Sequence, residues 1–312
     1  MTKRRKKYAV IIPTKDRLDF LKKALESVAS QTIPPFQVCL VIDEGEDFEK
    51  YNFLKKIKKG NLESLEVYFT GGNAGGAKAR NFGLDHVGEV DFVFFLDDDD
   101  EWFPQKVEAQ TDELERRPSF AAVACWHYHV YEKTQEKILR KQKEQVLNQW
   151  IMRSNLTGTF SVYGIRWKGD LRKVRINENL KSAQDADYYM KVSEYGKTAV
   201  VKEPLATYQV HQSTRISGGG HKRSSMNEIL RASSARLNSK DLYWWRAKQS
   251  LLSISSELSL WKGIVLIGKA SYWIVKSYIG KGPYFRDLKP AAKLLIGSKF
   301  GAETSVTSLL RR

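Results

Sequence analysis

Cysteine is scarce: there are two in 312 residues, Cys39 and Cys125, each inside an apolar stretch. That excludes a disulfide framework and a cysteine zinc site, and both read as core thiols in a reducing compartment. Long apolar runs are missing as well. No stretch reaches the roughly 18 residues of a membrane-spanning helix. The basic Met1–Lys7 segment is followed only by Tyr8–Ile12 before Pro13, Lys15 and Asp16, too little apolar chain for a secretory signal. A cytoplasmic protein is expected. Internal repeats and low-complexity linkers are absent too. With 42% hydrophobic and 28% charged residues, the chain should bury a core, which excludes wholesale disorder.

Positive charge is what the chain has in excess. The net formal charge is +16 and is unevenly spread. Lys3–Lys7 are five consecutive cations, and Arg215–Arg312 hold 18 lysines and arginines against 5 acidic residues. The body from Tyr8 to Thr214 is left with about two net negative charges. A near-neutral body with two basic ends differs from a uniformly basic nucleic-acid binder.

Within the body, Tyr8–Ile12, Gln37–Ile42, Leu65–Phe69 and Asp91–Leu96 are short apolar runs rich in β-branched and aromatic residues, as buried parallel strands require. Leu18, Leu21, Leu25 and Val28 between the first two fall at helical spacing, and a short helix is expected over Ala77–His86. The alternation predicts a doubly wound, mostly parallel α/β sheet. Further on, Glu108–Arg117 reads as a helix, Ala121–Tyr131 as a strand and Thr134–Ile151 as a polar helix or long excursion. Asn155–Trp167 reads as a strand and Ala186–Tyr195 as a helix. Gly218–Gly220 marks a boundary, giving a basic tail over 1–7, a body over 8–217 and a helical basic region over 218–312.

Ligands of such sheets lie beyond the carboxyl ends of the strands. The first strand is followed by Pro13-Thr14-Lys15-Asp16-Arg17 and the second by Asp43-Glu44-Gly45. After the third come Gly71–Gly76, Lys78 and Arg80, and the fourth runs into Asp97-Asp98-Asp99-Asp100. Carboxylates, cations and a glycine-rich backbone at one edge suit an anionic ligand held through a divalent metal, because Mg²⁺ takes one or two carboxylates plus substrate phosphates. A solvated acidic turn is the plainer alternative for the aspartate run.

Val10–Thr14, Val41–Gly45, Gly72–Asn81, Phe95–Asp100 and Gln184–Tyr189 occur in the order found in family 2 glycosyltransferases of the GT-A fold, which the chain resembles over roughly Tyr8–Ser217. The resemblance implies an inverting transfer of a sugar from a nucleotide donor, with UDP the expected nucleotide and Mn²⁺ or Mg²⁺ the cofactor. It assigns Asp97 and Asp99 to the donor ribose and the metal, with Asp98 between them in the donor site. The acidic pair Asp43-Glu44 would hold the base, with Glu44 standing where Asp is usual. Pro13, Asp16 and Arg17 would line the nucleotide pocket. Lys78 or Arg80 would meet the phosphates, Arg80 being equally suited to a structural ion pair. Asp185 would be the general base, the alternative being a helix cap for Ala186. His211 would be an added metal or phosphate ligand or a hydrogen-bonded structural histidine. His127 and His129 alternate along one strand and read as structural, or at most as lining the acceptor cleft.

The tail is rich in Trp, Lys and Leu, and Lys262, Lys269 and Lys276 recur every seven residues among apolar neighbours. As a helix this would lie in a membrane interface with its lysine stems snorkelling, or would pack on the catalytic domain. A lipid-linked or surface-polysaccharide acceptor at the inner face of the cytoplasmic membrane, as in lipopolysaccharide or capsule assembly, follows as an expectation. Two other readings compete. A sugar-1-phosphate nucleotidyltransferase would open with a glycine-rich, arginine-containing loop, unlike Pro13–Asp16. A tail-driven binder of membrane or nucleic acid leaves the strand-end carboxylates unexplained, and no nucleic-acid partner is expected.

Overall fold

The computed structural model describes residues 6–47, 49–60, 62–142, 144 and 159–211, with 225, 228, 229, 232 and 243. The chain divides into two compact units, Met1–Trp150 with Asn155–Ile229, and Ile151–Ser154 with Leu230–Arg312. The strands and helices that follow belong to the first. Residues 1–5 of the basic N-terminal tail, most of the basic C-terminal region and the expected boundary at Gly218–Gly220 lie outside the described residues. Among the described residues, no helix is long and apolar enough to cross a membrane.

The elements run β1 (Tyr8–Thr14), α1 (Leu18–Ala29), β2 (Gln37–Ile42), α2 (Phe53–Gly60), β3 (Leu65–Phe69), α3 (Gly75–Asp85) and β4 (Phe92–Phe95). They continue with β5 (Glu101–Trp102), α4 (Lys106–Arg116), β6 (Phe120–Tyr131), β7 (Lys137–Arg140), β8 (Tyr163–Arg166), α5 (Gln184–Val192) and β9 (Lys197–Val210). One sheet holds the described strands in the order β3-β2-β1-β4-β8-β6-β9-β5, with β7 added to β6.

The first four strands pair in parallel, with Thr14 opposite Ile42, Ile42 opposite Phe69 and Ile11 opposite Phe95. Their carboxyl ends therefore lie along one edge. β1, β2 and β4 are buried along their whole length, which is why they read as unbroken apolar runs. Helix α1 lays Leu21, Ala24, Leu25 and Val28 into the core. Helix α3 sits so close to the sheet that a Cβ on Gly83 would come 2.5 Å from Ile11 Cγ2. Beyond β4 the sheet turns mixed: β8 is antiparallel to both β4 and β6, and β5 is antiparallel to β9.

Several elements depart from expectation. Thr134–Ile151 is not a helix where it is described; Lys137–Arg140 is a strand on β6. Of the strand expected over Asn155–Trp167, residues 155–158 lie outside the described residues, and within 159–167 the strand is Tyr163–Arg166, after a 3-10 turn at Phe160–Val162. Helices α2 and α5 and strand β9 shift or add to the picture, α5 starting two residues early and stopping at Val192. Helix α3 also starts two residues early, at Gly75. The reason is tertiary: both Asp43 oxygens accept main-chain N–H groups at its entry, from Ala74 (2.7 Å) and Gly75 (2.9 Å). A carboxylate from another strand thus satisfies donors that a helix start leaves unpaired.

Candidate active site

The four aspartates after β4 form a tight turn, with Asp100 N–H donating to the Asp97 carbonyl at 3.1 Å. Their side chains alternate in exposure. Asp100 is wholly buried and accepts from Gln209 N (3.1 Å) and Thr159 Oγ1 (3.2 Å), which ties the turn to β9. Burial pushes its carboxyl well above the usual range, and the charges of Asp99 and Asp97 add to this. Asp98 is also buried, and accepts from Thr14 Oγ1 (2.7 Å) and Arg17 Nη1 (3.3 Å). Burial lifts it to about 6 against the pull of those two partners.

Asp97 and Asp99 are the partly exposed members, at 22% and 17% of their side chains. Asp97 is paired with Arg80 and accepts from Thr159 Oγ1 at 2.9 Å. Arg80 also donates to the Gly76 carbonyl (3.0 Å) and lies 4.3 Å above the Phe160 ring. Asp99 Oδ2 meets Arg17 Nη1 at 2.6 Å and His211 Nε2 at 3.2 Å. Lys78, two residues before Arg80, is exposed on α3, so of the two expected cations only Arg80 reaches the acidic turn.

Beside this turn, the pair after β2 splits in two. Asp43 is buried and spent on the glycine loop, taking a third bond from Thr70 Oγ1 at 2.6 Å. Burial raises its carboxyl, but the three hydrogen bonds prevail and hold it below its ordinary value. Glu44 faces outward and is gripped by Lys50 Nζ (2.8 Å) and Tyr51 Oη (2.8 Å); Lys50 also reaches Asp16 at 2.9 Å. Pro13 is buried in β1 opposite Val41. Of the four described left-handed residues other than glycine, Asp16 (φ 53°), Asn73 (φ 58°) and Ala183 (φ 57°) each stand just before an element that carries candidate residues, and the fourth, Gln135, lies in the turn between β6 and β7.

Ala183 is the entry to α5. Asp185 therefore sits inside the first turn rather than capping it, partly exposed, with Ala186 N–H donating to its Oδ1 at 2.8 Å. Asp187 is buried and pairs with Lys191 at 2.6 Å along the helix. Behind Asp185 the Tyr189 ring stacks on Tyr163 at 4.1 Å. Burial holds the Tyr189 hydroxyl well above its ordinary range, and after Tyr188 and Tyr163 both Asp185 and Asp97 add to this. One ring thus feels the candidate base and the acidic turn together.

A divalent cation fits the edge where Asp99 and His211 meet, since a carboxylate oxygen and an imidazole nitrogen from different elements stand 3.2 Å apart. Arg17 already places positive charge on that oxygen. Among the described residues no group of three or more His, Cys, Asp or Glu would hold a metal alone. A site completed by substrate phosphates needs only one or two protein ligands. His127 is buried, and its ring lies 5.1 Å from that of His129 on the same face of β6. Burial, then His129 and Arg140, lowers His127 to about 3 and keeps it neutral.

Residues 9–169, just over half of the chain, match the family model Glycosyl transferase family 2. The chain belongs to that family. It is 25% identical over 252 residues to the amylovoran biosynthesis glycosyltransferase AmsB of Erwinia amylovora, covering 77% of this chain and 82% of AmsB. It is 39% identical over 100 residues to the succinoglycan biosynthesis protein ExoW of Rhizobium meliloti, 31% of each chain. S. aureus TarS 1–349 in complex with UDP-GlcNAc superposes with a TM-score of 0.66 at 19% identity, covering 93% of this chain and 88% of the TarS 1–349 chain. The mannosyltransferase PcManGT of Pyrobaculum calidifontis, in complex with GDP-Man and Mn²⁺, gives 0.58 at 14% identity, covering 95% and 88%. At those identities the likeness is one of fold. The described sheet is the GT-A fold.

In this glycosyltransferase, Thr14, Lys50, Tyr51, Glu132, Thr159 and Ser161 were not singled out from sequence as site residues. Thr14 adjoins a motif and could have been found by asking what satisfies a buried Asp98. Thr159 and Ser161 secure Asp97 from 62 and 64 residues away, the latter by accepting its N–H at 3.0 Å. No local pattern marks them.

Proposed function

We propose that this glycosyltransferase moves a hexosyl or N-acetylhexosaminyl group from a UDP-linked donor to a hydroxyl of a lipid-linked or surface-polysaccharide acceptor, inverting the anomeric configuration. The observation that carries the reading is the Asp97–Asp100 turn at the end of β4, with Asp99 beside His211. The names of AmsB and ExoW support a polysaccharide acceptor, and the UDP-GlcNAc complex of TarS supports the donor class. A peripheral position on the inner face of the cytoplasmic membrane, held through the basic C-terminal region, belongs to the same proposal.

In this reading, Glu44, poised by Lys50 and Tyr51, faces the base, while Asp43 shapes the glycine loop that approaches the donor. Asp97 meets the ribose, and Arg17 and Asp98 hold the turn to the end of β1. Asp99 and His211 hold Mn²⁺ or Mg²⁺, which when bound supplies Lewis-acid neutralisation of the diphosphate. Asp185 accepts the proton of the acceptor hydroxyl as that oxygen bonds to the anomeric carbon. The bond from that carbon to the diphosphate oxygen breaks on the opposite side, and its electron pair leaves with the nucleoside diphosphate.

Calorimetric titration with UDP, GDP and CDP, in Mn²⁺ and then in EDTA, tests the reading. UDP should bind only with metal, and Asp99→Ala should abolish binding. A wild-type protein that binds no nucleotide in Mn²⁺ would sink it.

A further inference from the structure

The carboxylate of Glu44 is met by Lys50 and Tyr51, from the turn that precedes α2, and they do not cover it evenly. Lys50 Nζ lies 3.0 Å from Glu44 Oε1 and 2.8 Å from Oε2, so it stands near the bisector of the carboxylate, in front of both oxygens. Its third N–H goes to Asp16 Oδ1 at 2.9 Å, on the loop after β1. An ammonium has three donors and no acceptor, and here all three are engaged. Hydrogen bonds to Asp16 and then to Glu44 hold the amine above its ordinary value, so it keeps its charge at neutral pH. Tyr51 Oη donates to Oε2 alone, at 2.8 Å. Both residues are anchored independently of Glu44. Lys50 N–H donates to Asp47 Oδ1 at 3.0 Å, and the buried Tyr51 ring meets Phe69, at the end of β3, edge-on at 6.1 Å.

An ionised carboxylate accepts at about four positions, two on each oxygen. Lys50 covers the face the two oxygens share, taking one position on each. Tyr51 takes the second position on Oε2, and among the described residues that leaves one, on Oε1, away from the shared face. Uracil offers a single N–H on its pairing edge, which one lone pair satisfies. Guanine offers N1–H and an N2 amino N–H side by side, and two parallel donors need the shared face of a carboxylate, as an arginine fork does. A donor left unpaired on binding weakens the complex. We propose that Lys50 is a specificity-determining residue of the donor site. By covering the shared face of Glu44 it admits a nucleoside diphosphate whose base has one such N–H and turns away one whose base has two adjacent. The proposal rests on the reading above, in which Glu44 faces the base.

The test is calorimetric titration with UDP and with GDP in Mn²⁺, read as the ratio of the two affinities, since a merely structural change moves both together. Wild type should favour UDP. Lys50→Met opens the shared face and should raise the GDP-to-UDP affinity ratio by at least about tenfold, the worth of one hydrogen bond to a charged group. Lys50→Arg, whose guanidinium covers the same face, should hold the ratio within about threefold of wild type. Tyr51→Phe frees only the outer position of Oε2 and should hold it as well. An unchanged ratio in Lys50→Met, or an equal rise in Tyr51→Phe, overturns the proposal and leaves the donor reading standing. So does a Lys50→Met protein that binds neither nucleotide while wild type binds UDP, because Lys50 is then structural. A wild type that binds neither nucleotide, or binds GDP the more tightly, overturns both.

Discussion

Replacing Arg80 by Met separates two roles that one arginine can play near a diphosphate. Arg80 is 11% exposed, pairs with Asp97, donates to the Gly76 carbonyl at 3.0 Å and stacks 4.3 Å from the Phe160 ring. Removing one partner of a buried ion pair typically costs about 3–5 kcal/mol, because the remaining charge is stranded. Asp97 keeps its Thr159 hydrogen bond at 2.9 Å and is 22% exposed, so the expected loss lies at the low end, about 3 kcal/mol. Urea denaturation should report that loss. The double variant Arg80→Met/Asp97→Asn should recover part of it, since no charge is left unpaired. Calorimetry supplies the opposing measurement, with UDP compared against uridine. If Arg80→Met keeps wild-type stability and loses more than about tenfold in UDP affinity but none for uridine, the ion-pair reasoning is wrong and Arg80 is a phosphate ligand.

Two further outcomes are expected. Asp185→Asn should lower kcat by about 10²- to 10⁴-fold in a donor-turnover assay while leaving UDP affinity within about threefold, because the amide cannot take the acceptor proton; equal losses in both would argue for a structural role. Lys106 is wholly buried, with Nζ 2.7 Å from Gln110 Oε1 and 4.1 Å from the centroid of the Trp102 ring, and burial lowers its amine to about 8. Below pH 8 the buried charge destabilises the fold by about 3 kcal/mol, and the penalty fades as pH rises through the interval to the unfolded value near 10.5. The stability of Lys106→Met relative to wild type should therefore fall by about that amount between pH 8 and 10.5 in urea titrations; a difference that stays flat with pH would contradict it.

Much of this protein was legible along the chain. Gln37–Ile42 and Leu65–Phe69 are strands over the expected residues: the first is buried along its whole length, which needs continuous apolar character and shows it locally, and the second, at the sheet edge and mostly half-exposed, is legible from its β-branched and aromatic residues. The order of the five motifs identified the family, since loops after parallel strands converge on one edge whatever the rest of the fold does. Strand β9 was not legible, because Lys202 and Glu203 interrupt it and Pro204 follows. The pairing with β6 shifts register there, moving from Cys125–Val201 to Trp126–Pro204, and a bulge absorbs the extra residues.

Residue types and spacing determined that carboxylates, cations and glycines would gather at the sheet edge. Which oxygen serves which partner was decided only by tertiary structure. Asp43 and Glu44 are adjacent in sequence, yet one is buried under the glycine loop and the other held by Lys50 and Tyr51. Asp98 and Asp100 are buried while Asp97 and Asp99 stay partly exposed. Glu132 and His211 are 79 residues apart and meet because two strands share a register. Burial and long-range pairing depend on neighbours brought in by the chain's path, and local sequence carries no record of that path.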